Sequence, residues 1–260
     1  MIPQVSFDSD TSRYQLPQRL LRRFLWSGIT LRPRSIAYDA HWALTGVYPP
    51  PCISGASHIP ARDPCLVLCN HYTRPGLGAW WLALAITAAV AAQRYPDVDS
   101  DIHWVMTAAW TFQESHWRRR FLTPLTYWAF NRAARVYGFV LMPPMPPAPD
   151  EVEARAQAVL RTVRLARQAA RAGGIVGLAP EGRDSDTPGM LSPPPDGAGD
   201  FIALLVEAGL PILPVGVIER VGHLQVAFGE CFIPAIPDRR AMRDKAVIQQ
   251  VMAAIEVLIR

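Results

Sequence analysis

Short apolar runs of strand length alternate along this chain with longer segments of helical character, and this alternation constrains the fold more than any other feature. The run CLVLC at residues 65–69 precedes an apolar segment at 77–93. The run GIVGLA at 174–179 precedes a helix-like segment at 199–208. Strands that alternate with helices predict an α/β fold. We expect a single mixed β-sheet flanked by helices, with an N-terminal amphipathic helical segment.

Proline clusters separate these elements. Proline fits neither a helix interior nor a central strand, so the clusters at residues 49–51, 143–149 and 193–195 mark boundaries. Pro211 and Pro214 indicate a strand start or an edge strand for the apolar run that contains them. Further strands are expected at 103–109, 136–142, 211–217 and 224–228, and further helices at 150–172 and 243–259.

Composition excludes several classes of protein. The chain has 260 residues, half of them apolar, with four cysteines and a net charge of +4. This length suits one large domain or one domain with a small appendage, and the apolar fraction excludes global disorder. Four cysteines exclude a disulfide-built scaffold, and Cys65 and Cys69 are expected to be buried thiols. No metal site is expected.

The positive charge is concentrated in two arginine-rich stretches without acids, residues 11–38 and 115–149. Within the first stretch, residues 15–31 place apolar side chains at helical spacing among arginines. Tryptophan and arginine on an amphipathic helix are typical of proteins that lie on an anionic membrane, although such a helix also packs on its own core. The predicted membrane-contacting residues are Arg19, Arg22, Arg23, Phe24 and Trp26.

These observations predict an organisation and a location. We expect an N-terminal helical, membrane-contacting segment at residues 1–46 and an α/β domain at residues 47–260. The N-terminus shows no secretory signal, so we expect a peripheral or monotopic protein on the cytoplasmic face of the membrane. The clustered arginines then favour a membrane surface, and no nucleic-acid partner is expected.

Two polar turns follow buried strands and contain the candidate chemical groups. Asn70 and His71 follow the run at 65–69, and Glu181, Gly182 and Arg183 follow the run at 174–179. Side chains at strand ends reach the ligand crevice of an α/β sheet, where a histidine can act as a general base. The alternatives are a structural histidine and a solvated turn.

Taken together, the order and spacing of these turns resemble the glycerolipid acyltransferase family, which includes 1-acylglycerol-3-phosphate acyltransferases. The resemblance covers the chain from Val47 onward. Its most specific match is the segment EAGLPILPV at residues 207–215. The other matches are residues 64–71, 138–142, 179–182 with Ser185, 199–217 and 226–234.

The resemblance implies a reaction. In the family a histidine takes the proton of an acceptor hydroxyl as it attacks an acyl thioester on coenzyme A or acyl carrier protein, and an aspartate orients the histidine. It implies that His71 is the base, that a lipid is the acceptor, and that neither metal nor bound cofactor is needed. The implied substrate-binding residues are Asn70, Arg74, Glu181, Gly182, Arg183 and Ser185.

The sequence departs from the family at the catalytic positions. The family aspartate, five residues after the histidine, is replaced by Gly76, and the phosphate-binding arginine expected near Pro143 is absent. Three interpretations follow. Asp184 can replace the missing carboxylate as a catalytic residue, with Asp186 and Asp200 as alternatives. The acceptor can lack a phosphate ester. In the third interpretation, the protein is a non-catalytic lipid-binding member of the fold. Loss of the orienting aspartate without a replacement lowers kcat by about 10⁴-fold, which would leave a very slow enzyme.

Overall fold

The computed structural model describes residues 14–110, 116–143, 151–183 and 190–260. Within these ranges the helices are α1 (Gln18–Thr30), α2 (Ile36–Leu44), α3 (Ala79–Gln93), α4 (His116–Tyr137), α5 (Val152–Ala172), α6 (Ala198–Glu207) and α7 (Arg240–Ile259). The strands are β1 (Cys52–Ser54), β2 (Cys65–Cys69), β3 (Ile102–Thr107), β4 (Val140–Met142), β5 (Ile175–Leu178), β6 (Ile212–Arg220) and β7 (His223–Phe228).

The strands of the described ranges form one mixed sheet in the order β1-β7-β6-β2-β5-β3-β4. Strands β6, β2, β5, β3 and β4 run parallel to one another. Strand β7 is antiparallel to β6, and β1 is parallel to β7. The expected α/β class, with a single mixed sheet flanked by helices, is therefore confirmed.

Strand β2 shows how the sheet separates two helical layers. Val67 and both cysteines of the strand pack into a core that also contains residues of α2 and α3. Leu66 and Leu68, on the other face, pack into a core formed with α5, α6 and α7. Alternate residues of a strand point to opposite faces, so a run that is entirely apolar suits a strand covered on both sides.

The thiols of β2 are buried, as predicted from the sequence. Cys65 and Cys69 are at most 5% exposed. Burial raises the pKa of each thiol to about 12, because the charged thiolate is disfavoured away from water. Both side chains therefore act as small apolar groups of the core.

One expectation about secondary structure is wrong, and another is confirmed in one of its two alternatives. The strand expected at 136–142 is shorter, because α4 continues to Tyr137 and Gly138 then takes a φ of 71° that ends the helix. Of the two alternatives for the run with prolines, the strand start is confirmed for Pro211, which directly precedes β6, whereas β6 is not an edge strand, since it lies between β7 and β2. Pro214 is tolerated there because the pairing of β6 with β7 begins only at Val215, while Pro211 precedes the strand.

The N-terminal helices pack against the α/β body. Leu20 of α1 and Ile36, Ala40 and Ala43 of α2 belong to the same core as β2 and α3. Phe24 stacks on Tyr137 of α4, with ring centroids 6.1 Å apart. The other predicted membrane-contacting side chains are exposed, namely Arg19, Arg22, Arg23 and Trp26. Across the part of the chain that the structure describes, no helix has both the length and the apolar character to cross a bilayer.

Candidate active site

The candidate site lies at the sheet edge where the parallel strands β2, β5 and β6 end. His71 follows β2, and Glu181 follows β5, which is the parallel neighbour of β2. The last residues of β6, on the other side of β2, reach the same edge. The polar turns predicted from the sequence therefore lie next to each other, as the carboxyl ends of adjacent parallel strands must.

Asn70 fixes the turn that carries His71. Its side-chain Nδ2 donates to the carbonyl oxygen of Val217 at 2.8 Å, and its Oδ1 accepts from the Val217 N–H at 2.6 Å. The side chain is buried. The amide thus continues the pairing between β2 and β6 past the end of β2. These bonds hold the turn, and contact of Asn70 with a substrate stays a prediction.

Glu181 joins the two polar turns. Its Oε1 accepts a hydrogen bond from the backbone N–H of His71 at 2.6 Å, and its Oε2 accepts one from the backbone N–H of Ser192. The residue is 1% exposed. A buried carboxylate is stable only when its oxygens accept such bonds. Glu181 therefore fixes the position of the His71 backbone relative to the turn after β5, and its contact with substrate stays a prediction.

Arg74 pairs with an acid at the end of β6. Its Nη2 donates to Oε1 of Glu219 at 2.7 Å, and its Nε donates to the other carboxylate oxygen. This bidentate hydrogen bonding raises the pKa of the Arg74 guanidinium. Tyr14 donates to Oε1 of Glu219 at 3.2 Å, and the Arg74 guanidinium lies 5.7 Å from the centre of its ring. The positive charge of the Arg74 guanidinium is thus neutralised by the Glu219 carboxylate.

Gly76, at the position of the family aspartate, forms part of a tight turn. The N–H of Leu77 donates to the carbonyl of Arg74 at 2.9 Å, which closes a four-residue turn. Pro75 is its second residue, and Gly76, with a φ of 83°, is its third. This is the residue pattern of a type II β-turn, in which the third position requires a positive φ. The turn therefore explains why a glycine stands where the family has a carboxylate.

The remaining predicted residues are placed as follows. Gly182 takes a φ of 64° and its N–H donates to the carbonyl of Ala179, so it forms the sharp turn after β5. Arg183 is exposed. Asp184, Ser185 and Asp186 lie outside the described residues. Asp200 lies on α6, where Oδ1 is 4.0 Å from Nε of Arg243 on α7.

Sequence reasoning missed three positioning groups of this site. Glu219 had a visible signal, because it is an acid near the end of a mainly apolar strand. The Val217 backbone and the Ser192 N–H had none, since main-chain groups carry no sequence signature. Within the described ranges, no group of His, Cys, Asp and Glu side chains is arranged to bind a metal ion.

The fold and site define an α/β protein with a candidate general-base histidine at the carboxyl edge of a mixed sheet. The family model Acyltransferase matches residues 51–218, more than half of the chain, and the chain belongs to this family. The expected family is thus confirmed, and with it the class of acyl-group transferases. No curated protein matches the chain significantly.

Among solved structures, the chain is similar to the crystal structure of the 1-acyl-sn-glycerophosphate (LPA) acyltransferase PlsC from Thermotoga maritima. The sequence identity is 15%, and the TM-score is 0.47. The similarity covers 93% of this chain and 88% of that chain.

Proposed function

We propose that this protein transfers a fatty acyl group from acyl-CoA or acyl carrier protein to a hydroxyl of a lipid acceptor, with His71 as the general base. Membership of the acyltransferase family supports acyl transfer. The hydrogen bond between the His71 N–H and the buried Glu181 is the observation that carries the proposal, because it fixes the histidine against the second motif turn. The donor is a co-substrate, so the reaction needs no bound cofactor.

The proposed step is a direct transfer. The His71 imidazole takes the proton of the acceptor hydroxyl while the hydroxyl oxygen bonds to the thioester carbonyl carbon. The carbon–sulfur bond then breaks, and the thiolate leaves and receives the proton from the imidazolium. The Nδ1 atom of His71 is shielded from solvent, so we assign Nε2 to the acceptor. Asn70 and Glu181 act in this proposal as positioning residues.

An orienting carboxylate for His71 remains part of the proposal. Asp184 is our first candidate, with Asp186 as the alternative on the same segment. Asp200 is a weaker candidate, because its carboxylate lies beside Arg243 in the helical layer. The tight turn at Gly76 supports a carboxylate from elsewhere in the chain, since it removes the family position from this role.

We propose an acceptor that is not a phosphate ester, such as a glycolipid. Two observations support this choice. The strand arginine of the family is absent, and the Arg74 guanidinium is already paired with Glu219. Arg183, which is exposed on the turn after β5, is the cation that we propose for phosphates of the acyl donor.

We further propose that the protein binds the cytoplasmic face of the membrane peripherally or monotopically through α1. The exposed side chains of this helix combine arginines with large apolar residues, a composition that suits an anionic lipid surface. The large apolar side chains are Leu21, Leu25, Trp26 and Ile29, which are 42–64% exposed.

A second candidate function is non-catalytic lipid binding on the same fold. It is favoured by Gly76, because the family carboxylate is missing and the turn cannot easily accept one. Without a replacement, the loss of an orienting carboxylate would leave a very slow enzyme.

The two functions differ in the release of free CoA. Purified protein would receive acyl-CoA and a panel of acceptors with and without a phosphate ester. We expect CoA release that depends on the acceptor and disappears in His71→Ala, and that persists in His223→Ala, a matched change at an exposed histidine. The same assay with Asp184→Asn and Asp186→Asn identifies the orienting carboxylate, because loss of that carboxylate should lower CoA release. Absence of CoA release with every acceptor, together with retained vesicle binding, would favour the non-catalytic function.

A further inference from the structure

A cavity of about 500 Å³ opens beside α1 and the N-terminus of α2, and its lining is rich in arginine. Arg23 comes from α1, Arg32 and Arg34 come from the loop between the helices, and Asp39 is the one acid among the described residues of the lining. None of these residues takes part in the proposed acyl transfer. The cavity is therefore a separate feature of the N-terminal part of the chain.

The acid in the cavity is fully engaged by the fold. Arg34 Nε donates to Oδ2 of Asp39 at 2.7 Å, and Nη2 of the same arginine donates to Oδ1. The Tyr137 hydroxyl also donates to Oδ2, at 2.6 Å. Asp39 is only 2% exposed. Its charge is matched by Arg34, so the cavity keeps a net positive charge from Arg23 and Arg32.

Those two arginines remain available to a ligand. Both are exposed, and no ion pair joins either of them to an acid within the ranges that the structure describes. A guanidinium presents several N–H donors in a planar fork that matches the oxygens of a phosphate. Two guanidinium groups at one cavity can therefore donate several hydrogen bonds to the oxygens of one phosphate group.

Aromatic side chains line the cavity beside the arginines. Trp26 and Tyr38 belong to the lining and are 60% and 51% exposed. Leu25 and Ile29, which lie on the same helix as Trp26, are also exposed. Amphipathic aromatic rings beside apolar side chains are typical of surfaces at the headgroup level of a membrane. This composition favours a phosphate that is attached to a lipid.

The cavity lies at the sheet edge opposite the candidate active site. Ser35, a residue of the lining, donates its hydroxyl to Asp101 at 2.7 Å. Asp101 directly precedes β3, whereas His71 lies two residues beyond the end of β2, and both strands run parallel to β5. A strand of five residues is about 17 Å long. The cavity is therefore distinct from the site of acyl transfer.

We propose that this cavity binds a phosphate-bearing headgroup, with Arg23 and Arg32 as its ligands, and so anchors the protein on an anionic phospholipid. The proposal does not depend on acyl transfer, because it uses no residue of the His71 site. It also differs from general attraction to an anionic surface. A built site requires these two arginines in particular, whereas surface attraction depends only on the number of positive charges.

The test compares two double variants with equal loss of charge. Arg23→Gln with Arg32→Gln removes the proposed ligands, and Arg19→Gln with Arg22→Gln removes two exposed arginines of α1 that do not line the cavity. Sedimentation would measure binding of the full chain to phosphatidylcholine vesicles with and without phosphatidic acid. All four substitutions are at exposed side chains, and circular dichroism would verify that both variants fold.

We expect the cavity variant to bind phosphatidic acid vesicles about tenfold more weakly than the control variant, the effect of one charge-assisted hydrogen bond. Equal losses in the two variants would overturn the proposal, as would wild-type protein that does not distinguish the two vesicle types. Calorimetry with glycerol 3-phosphate separates the sources of the phosphate. Binding to the wild type but not to the cavity variant, together with equal vesicle binding by the cavity and control variants, would assign the site to a free phosphate ester and overturn the lipid anchor.

Discussion

The link between the two polar turns can be tested most directly by Glu181→Gln. The substitution keeps the shape of the side chain but replaces one acceptor oxygen with an NH₂ group. Glu181 accepts one bond from the His71 N–H and one from the Ser192 N–H, so one of these buried donors would then face another donor. The change therefore affects both the stability of the fold and the position of His71.

The expected magnitude follows from the two bonds. A hydrogen bond to a charged group contributes about 1.5–3 kcal/mol, and an unsatisfied buried N–H costs a similar amount. These two quantities describe the same event and are not added. We expect the free energy of unfolding to fall by about 2–3 kcal/mol. For a chain of this size the midpoint of thermal unfolding would fall by roughly 4–12 °C.

The assay combines urea denaturation with steady-state kinetics. Unfolding gives the stability change, and kcat for CoA release, measured well below the unfolding temperature, reports the position of His71. A misplacement of about 1 Å can cost about 10²-fold, so kcat should fall by about 10- to 100-fold. Glu230→Gln, the same change at an exposed site, is the matched control and should alter neither quantity.

Two results would contradict the reasoning. If Glu181→Gln were as stable as the Glu230→Gln control, the two backbone bonds would not hold the turns together. If stability fell but kcat stayed unchanged, Glu181 would stabilise the fold without positioning His71.

Three further changes test other contacts. Arg74→Ala should lower the free energy of unfolding by about 2 kcal/mol in urea denaturation, because it removes the cation beside the nearly buried Glu219 carboxylate. Adding Glu219→Gln should recover part of that loss, and a further loss would refute the ion-pair explanation. Gly177→Ala should cost about 1–3 kcal/mol in thermal unfolding, because its Cβ would lie 2.7 Å from side chains of β3, and an unchanged midpoint would show that this contact relaxes. The Asp99 carboxylate, 3.7 Å from Nε2 of His103, raises the pKa of His103, so the stabilisation from this ion pair is full below about pH 6.5 and is lost as the pH rises through the raised value. His103→Gln should remove this pH dependence of stability, and an unchanged profile would refute the assignment.

Most of the sheet could be predicted because its strands have strong local signals. Residues 65–69 and 174–179 are short apolar runs that end at polar turns, and the structure places β2 and β5 there. Helix α4 was not predicted, because several of its large apolar side chains are exposed and Pro124 lies inside it. The periodicity that identifies a helix packed on a core is therefore weak in this segment.

The candidate site was predicted only in part. The closeness of His71 and Glu181 follows from two strand ends that carry polar residues, provided that the strands are neighbours. The role of Glu181 does not follow, since its partners are backbone N–H groups. Substrate binding by Arg74 stays a prediction, and the pairing of its guanidinium with Glu219 did not follow from the sequence, because Glu219 lies 145 positions away.

The sequence by itself determined the α/β class, the positions of the main strands and the polar turn that contains Gly182, because apolar periodicity, proline and glycine act over a few residues. Only the tertiary structure decided that β2 lies between β5 and β6. That order brought the Glu181 carboxylate and the Val217 backbone to the turn that carries His71. The same local pattern is compatible with several strand orders, and contacts between distant segments depend on which order buries the two apolar faces of the sheet.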